Sequence, residues 1–398
     1  MAMIDRRFLA ARPEDVGVDP EKLEAVFARA ARDVEQGILP AAQAAVARGG
    51  KLAGMRTFGS AVQGGEERPA TDETMFTFYS STKAIVSVAV WLLFEEGKLR
   101  LDERIAEIIP EFGTNGKDAI TVEQAMLHAG GFPYAPFHPD KWGNREALLE
   151  AFSQWRLNWP VDSRYEYHAT SMHWVLAEII YRRGGADHRT FIRERLLKPM
   201  GLERDLYVGC PPEEGWRVAD VRYMSEPVEP PGGWGEVTPE AILRMNVPKY
   251  REAGLPGGGA VATAAAMALF YQPLVNGGVT ADGTCVIRPE TIAFGTTVRS
   301  RPHHIDLTMK YFLPDVDVNT NRALGVVVAG GDGYAYMRGF GRTCSPRAFG
   351  HGGAGGQIAW GDPETGISVA YATNGFVDAV TMGRRITAIG SLAGDCAV

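Results

Sequence analysis

Ser80 and Lys83 are the residues whose types and spacing most clearly suggest chemistry in this chain. They stand at the start of an apolar run over 84–94, which predicts a buried helix ended by Gly97. Residues three apart on a helix share a face, so the Lys83 amine can lie beside the Ser80 hydroxyl. A serine hydroxyl needs a base to become a nucleophile, and burial lowers the pKa of a lysine amine. The pair therefore indicates a nucleophile, with a helix-capping serine and a solvated lysine as the alternative.

Two other segments could complete such a site. Tyr167 precedes a predicted helix over 170–182. Its phenolate, stabilised by a lysine, could take the serine proton and return it to a leaving group; a buried core tyrosine is the alternative. The segment 350–356 is rich in glycine at a predicted strand start, which marks a close approach of backbone or ligand. There the Ala354 amide, together with the Ser80 amide, could donate hydrogen bonds to an oxyanion.

Taken in order, Ser80-x-x-Lys83, Tyr167-x-Ala169 and His351-Gly352-Gly353 resemble motifs of the serine β-lactamase and penicillin-binding protein superfamily. The chain is most similar to class C β-lactamase-like esterases, the family VIII-type carboxylesterases. Segments 76–79, 121–131 and 257–259 fit the same order.

The resemblance implies a role for each matching residue. Ser80 is the implied acylated nucleophile, Lys83 its electrostatic partner or base, and Tyr167 the general base and acid. The Ser80 and Ala354 amides are the implied oxyanion donors. The remaining matched residues, implied to bind substrate, are His351, Gly352 and Gly353.

This chain departs from the family pattern at two positions. Ala169 stands where such β-lactamases carry an asparagine that holds the substrate amide. His351 replaces a lysine that favours the carboxylate of penicillins, and histidine can be uncharged at neutral pH. Both departures lead us to expect an esterase acting on less charged acyl esters, with slow β-lactam turnover still open.

The order of predicted elements indicates an α+β or α/β fold, with an antiparallel sheet flanked by helices. Asp19 and Pro20 begin a predicted helix, and strands are predicted at 42–47 and 51–58. Further strands are predicted at 323–329, 356–360 and 367–372, and a last helix at 377–391. Helices of the middle are predicted at 121–127, 145–155, 170–182, 189–197 and 260–275. We therefore expect one lobe from residues 1–75 and 285–398, a mostly helical lobe inserted over 76–284, and the active site between them.

Composition narrows the function classes. The 398 residues are 45% hydrophobic and 22% charged, with a net charge of −7, and no basic run suggests nucleic acid as a partner. Four scattered cysteines predict neither a disulfide framework nor a zinc site. The start of the chain has no signal-peptide pattern and the run over 84–94 is too short for a membrane span. The sequence thus predicts a cytoplasmic protein.

We accordingly predict a serine carboxylesterase that acts on small-molecule esters without metal or organic cofactor. Four aromatic residues on the first motif or in long loops are expected to line the substrate pocket: Tyr79, Tyr134, Phe137 and Trp234. A β-lactamase, a D-amino-acid peptidase or amidase, an acyltransferase and a non-catalytic sensor module remain alternatives. The oligomeric state is left open.

Overall fold

The computed structural model describes residues 5–230 and 233–398. Its strands are β1 Ala41–Arg48, β2 Lys51–Gln63, β3 Glu66–Pro69, β4 Phe76–Tyr79, β5 Leu206–Val208, β6 Arg222–Tyr223, β7 Ala260–Ala262, β8 Val327–Val328, β9 Phe349–Gly350, β10 Ile358–Gly361, β11 Ser368–Thr373 and β12 Gly375–Phe376. Its α-helices are α1 Pro20–Glu35, α2 Thr82–Glu95, α3 Ile105–Ile108, α4 Val122–Met126, α5 Arg145–Gln154, α6 Ser171–Gly184, α7 His188–Ile192, α8 Pro239–Leu243, α9 Pro248–Ala253, α10 Ala264–Val275, α11 Pro289–Thr296 and α12 Ala379–Gly394.

A seven-stranded antiparallel sheet forms the centre of the fold, in the order β3-β2-β1-β11-β10-β9-β8. The first and last parts of the chain meet where β1 pairs with β11, Ala42 opposite Thr373. Helices α1 and α10 both contact β1, and α12 packs against α1. Strand β1 is almost entirely buried and consists mainly of alanine, whose small side chain lets both layers of helices approach closely. The predicted fold class, an antiparallel sheet flanked by helices, is confirmed.

Several predicted elements occur where the sequence pattern places them. Helix α1 begins at Pro20, and the Asp19 carboxylate accepts hydrogen bonds from the amides of Glu21 and Lys22. Strands β1 and β2 cover the two predicted strands near the N-terminus. The division into lobes stays a prediction, and α10, from the segment assigned to the helical lobe, packs against the sheet.

Two predicted elements are wrong in part. Residues 260–275 were predicted as one helix, but 260–262 form β7, and the Thr263 hydroxyl caps α10 by accepting from the Ala266 amide. An alanine-rich apolar run fits a buried strand and a buried helix equally well. Of the strand predicted over 323–329, only Val327–Val328 pairs in the sheet. Gly325 has a φ of 78°, and a Cβ there would lie 1.9 Å from the Ser87 hydroxyl oxygen.

Helix α2 lies at the centre of the mostly helical region. All its residues from Thr82 to Leu93 are buried, and it packs against α6, α7 and α11. A small sheet contains three strands in the order β4-β7-β5. Strand β4 ends at Tyr79, just before α2 begins at Thr82. Among the described residues, no helix combines the length and the apolar character needed to cross a lipid bilayer.

Candidate active site

Ser80 stands at the joint between β4 and α2. Tyr79, the last residue of β4, has a φ of 45°, in the left-handed region that non-glycine residues rarely adopt. The Tyr79 carbonyl oxygen accepts a 2.5 Å hydrogen bond from the Thr82 hydroxyl. The Tyr79 hydroxyl donates to the Ile242 carbonyl oxygen at 3.2 Å. Strained backbone of this kind concentrates at functional sites. The bend leaves Ser80 partly exposed just before the buried helix.

The Lys83 amine is fully buried and has three polar neighbours. Its Nζ lies 3.4 Å from the Ser80 Oγ, 2.7 Å from the Ala169 carbonyl oxygen and 2.6 Å from the Gly257 carbonyl oxygen. Burial lowers the pKa of Lys83, and the nearby phenol of Tyr167 partly offsets that effect. A larger fraction of the Lys83 amine is therefore neutral near pH 7 than in an exposed lysine.

Tyr167 lies in a cluster of rings beside Lys83. Its ring stacks on that of His128 with centroids 4.9 Å apart, and the His351 ring is 5.9 Å away. The Lys83 Nζ is 5.0 Å from the Tyr167 ring centroid. The Tyr167 hydroxyl is buried, and no described group meets it with both the distance and the angle of a hydrogen bond. The hydroxyl interacts with the Lys83 amine, so these two groups are placed to exchange a proton.

The histidines around Tyr167 and Lys83 are neutral. Burial lowers the pKa values of His128, His173 and His351 well below 6.5, and the positive charges of Arg322 and Lys83 add to this effect. The His351 Nδ1 donates to the Gly352 carbonyl oxygen at 2.7 Å. His351 therefore contributes no positive charge at neutral pH, in agreement with the expectation that a histidine can be uncharged there.

The glycine-rich segment after β9 closes the site from the sheet side. Gly353 pairs with Gln357 across a tight turn, so Ala354 lies in that turn and not on an edge strand as the sequence suggested. Gly353 packs so closely that a Cβ there would lie 2.1 Å from the Phe78 carbonyl oxygen. In the described part of the chain, neither the Ser80 nor the Ala354 amide donates a hydrogen bond. Both amides can serve an oxyanion.

These segments meet at a cavity of about 510 Å³. Its lining includes most of the residues singled out from the sequence, namely Ser80, Tyr167, His351, Gly352, Gly353 and Ala354. A smaller cavity of about 80 Å³ adjoins it and shares Ser80 and Ala354. Three distant parts of the chain thus converge on one hydroxyl.

The four aromatic residues expected to form a pocket wall have different placements. Tyr79 lines the smaller cavity beside Ser80. Tyr134 is 52% exposed and packs edge-on against Trp159, and Phe137 packs against Trp174 on the lining of a separate cavity. Neither these two nor Trp234 lines a cavity that contains Ser80. Tyr134 and Phe137 pack instead against neighbouring aromatic rings.

Sequence reasoning missed two charged residues at the site. Arg322 lines the larger cavity, and Glu236 lines the smaller one. The Glu236 carboxylate accepts hydrogen bonds from the Thr170 amide (3.1 Å) and hydroxyl (2.9 Å), and burial raises its pKa to about 7. The Thr170 amide belongs to the same peptide group whose Ala169 carbonyl accepts from Lys83. Neither residue belongs to a motif; Glu236 gave a weak signal because it lies in a long irregular connection, and Arg322 gave none.

One group of side chains away from Ser80 has metal-ligand types. Donor atoms of Asp162, His303 and His304 lie within 4.8 Å of one another. The Asp162 carboxylate is, however, already paired with the Arg301 guanidinium and bonded to His304 Nε2 at 3.0 Å. The cluster joins two loops, and a cation would have to displace the arginine.

Comparison with known proteins gives a consistent family assignment. The sequence model of the family described as Beta-lactamase matches residues 26–393. The "Esterase/beta-lactamase LipL" of Mycobacterium tuberculosis is 28% identical over 334 residues, which cover 76% of this chain and 70% of LipL. The "Esterase EstB" of Burkholderia gladioli is 27% identical over 262 residues, covering 60% of this chain and 65% of EstB.

Solved structures agree in fold. A penicillin-binding protein homolog from Caulobacter crescentus superposes with a TM-score of 0.80 at 27% identity, covering 95% of this chain and 98% of that one. A family VIII carboxylesterase superposes with a TM-score of 0.78 at 23% identity, covering 96% and 99%. At that identity the second similarity speaks for the fold alone.

Proposed function

Because this chain belongs to the beta-lactamase family, we propose that it is a serine hydrolase that cleaves carboxylic esters through an acyl-enzyme on Ser80. The relatives LipL and EstB, both named as esterases, support ester hydrolysis as the reaction. Ser80 and Tyr167 line one cavity and the Lys83 Nζ lies 3.4 Å from the Ser80 Oγ, and this intact set speaks against a non-catalytic sensor module.

The observation that carries this proposal is the environment of the Lys83 amine. A neutral amine has two N–H bonds and one lone pair. The carbonyls of Ala169 and Gly257 take the two N–H bonds at 2.7 and 2.6 Å, and the Ser80 Oγ is the third neighbour, at 3.4 Å. In the neutral form the lone pair is left for the two hydroxyls beside the amine, those of Ser80 and Tyr167. This arrangement supports Lys83 as an acceptor of the serine proton.

The reaction then proceeds in two halves. Ser80 Oγ bonds to the ester carbonyl carbon as its proton moves to Tyr167, directly or through the Lys83 amine, and the amides of Ser80 and Ala354 stabilise the oxyanion. As the carbon–oxygen bond to the alcohol breaks, Tyr167 protonates the leaving alcohol. Water then attacks the carbonyl carbon of the acyl-enzyme by the same steps. As the carbon–Oγ bond breaks, the water proton passes to Ser80 Oγ and the carboxylic acid leaves.

One position favours esters over β-lactams. Ala169 offers no side-chain amide to a substrate amide. We therefore propose ester hydrolysis as the main activity, with weak β-lactam turnover beside it. The four cysteines are unpaired, which fits our proposal of a reducing, cytoplasmic setting.

The test uses a short-chain nitrophenyl ester and a fluorophosphonate probe. Ser80→Ala is expected to abolish hydrolysis and the mass shift of one probe per chain. Ser81→Ala is the matched control, since the neighbouring Ser81 is fully buried and both activity and labelling should persist there. Near-normal hydrolysis by Ser80→Ala would remove Ser80 from the mechanism.

A further inference from the structure

Arg322 is a buried cation at the edge of the larger cavity. It is 6% exposed and lines the same cavity as Ser80, Tyr167 and His351. Its Nη2 donates to the Tyr165 hydroxyl at 3.0 Å, but its Nε and Nη1 have no hydrogen-bond partner among the described residues. An arginine stays charged at any physiological pH, and a buried charge is normally paired.

The neighbouring Arg338 shows how the chain treats a buried arginine that has a structural role. Arg338 lines the same cavity and is 8% exposed, and its guanidinium bonds both oxygens of Asp332 at 2.7 and 2.5 Å. Within the described ranges, no carboxylate oxygen lies within ion-pair distance of Arg322. The charge of Arg338 is thus neutralised inside the protein, and that of Arg322 is not.

Acidic residues of the cavity do not fill this role. Asp306 and Glu166, both within the described residues, line the same cavity, but neither carboxylate forms a hydrogen bond or an ion pair with Arg322, and Asp306 Oδ1 accepts instead from the amide and hydroxyl of Thr308. Instead, the guanidinium faces the rings of Tyr165 and Tyr167, with its Cζ 5.7 and 5.4 Å from their centroids. The aromatic rings hold the cation beside the proposed proton-transfer residue, and its enclosed Nε–H and Nη1–H groups are left without a hydrogen-bond partner among the described residues.

We propose that Arg322 binds a carboxylate of the substrate, so that the preferred esters carry an anionic group within reach of the scissile carbonyl. This inference rests on the proposed function of the Ser80 site. It replaces the expectation of less charged esters, which considered only Ala169 and His351. The positive charge that His351 does not provide comes here from a different segment of the chain.

The test compares substrates of equal length. Mono-4-nitrophenyl glutarate and 4-nitrophenyl valerate both have five-carbon acyl chains, and only glutarate adds a carboxylate. 3-Carboxyphenyl butyrate and phenyl butyrate form the matching pair for the alcohol side. Because a hydrogen bond to a charged partner is a strong one, the wild-type kcat/KM should favour the anionic member of one pair by about tenfold or more. Arg322→Gln should abolish this preference and leave the neutral ester within about threefold, and Arg322→Lys should retain part of it.

Arg347→Gln is the charge-matched control. Arg347 is exposed and outside the cavity lining, so the substrate preference should stay unchanged. A second measurement does not need turnover: glutarate should slow fluorophosphonate labelling of wild-type Ser80, whereas valeramide should not. This arm also tests the inference if Arg322→Gln fails to fold.

The outcomes separate the two proposals. If wild type neither hydrolyses any ester nor reacts with the probe, the proposed function itself fails. If it hydrolyses neutral and anionic esters equally, and glutarate gives no protection, the Ser80 chemistry stands and the role of Arg322 is refuted.

Discussion

Gly353→Ala is the substitution that most directly tests the convergence of distant segments on Ser80. An alanine Cβ at this position would lie 2.1 Å from the Phe78 carbonyl oxygen, two residues before Ser80. Ordinary contact needs about 3.4 Å, so the 351–354 turn and β4 must separate by more than 1 Å. Displacements of about 1 Å at a reacting centre can cost about 10²-fold in rate. We expect kcat/KM for a short nitrophenyl ester to fall by about that factor.

Gly352→Ala provides the matched control on the adjacent residue. A Cβ there meets only the Gln357 carbonyl oxygen at 3.4 Å, an ordinary contact. Steady-state hydrolysis and fluorophosphonate labelling rates are measured for both variants, with thermal unfolding to confirm that each is folded. The expected result is a large loss for Gly353→Ala and a change within about threefold for Gly352→Ala. Equal rates in two folded variants would refute the close approach of the turn to Ser80.

Two further predictions concern proton transfer and pH. Tyr167→Phe should lower kcat by roughly 10²–10⁴ in the same assay, and a change confined to KM would contradict its role as acid and base. Burial raises the pKa of Glu236 from 4.5 to about 7, so ionising it weakens the folded state as pH rises through that range. Glu236→Gln should therefore increase the free energy of unfolding at pH 8 by up to about 3 kcal/mol and have little effect at pH 4; equal changes at both pH values in denaturant titrations would argue against it.

Several helices and strands could be predicted because interactions between neighbouring residues determine them. The Asp19–Pro20 start of α1 follows from capping, and β1 and β2 pair across the short Gly49-Gly50 turn. The prediction failed where one sequence pattern is compatible with both a strand and a helix. The alanine-rich segment 260–275 divides into a strand and a helix because β4 and β5 supply pairing partners for residues 260–262.

The roles of the site residues stay predictions. The motif segments identified residues that line one cavity, namely Ser80, Tyr167 and His351, and the spacing of Ser80 and Lys83 identified a pair whose Oγ and Nζ lie 3.4 Å apart. Aromatic residues chosen from loop position alone, such as Tyr134, lie elsewhere, because a loop's route over the surface depends on contacts distant in sequence.

The amino-acid sequence by itself determined the order of elements, the family and the three motif segments, since each is written in neighbouring residues. Tertiary structure alone decided which charges are buried, because desolvation depends on atoms far apart along the chain. It placed two backbone carbonyl oxygens beside the Lys83 amine and packed the Gly353 backbone against Phe78. It also left two nitrogen atoms of Arg322 without a partner among the described residues. The proposed reactivity and substrate preference depend on those long-range contacts.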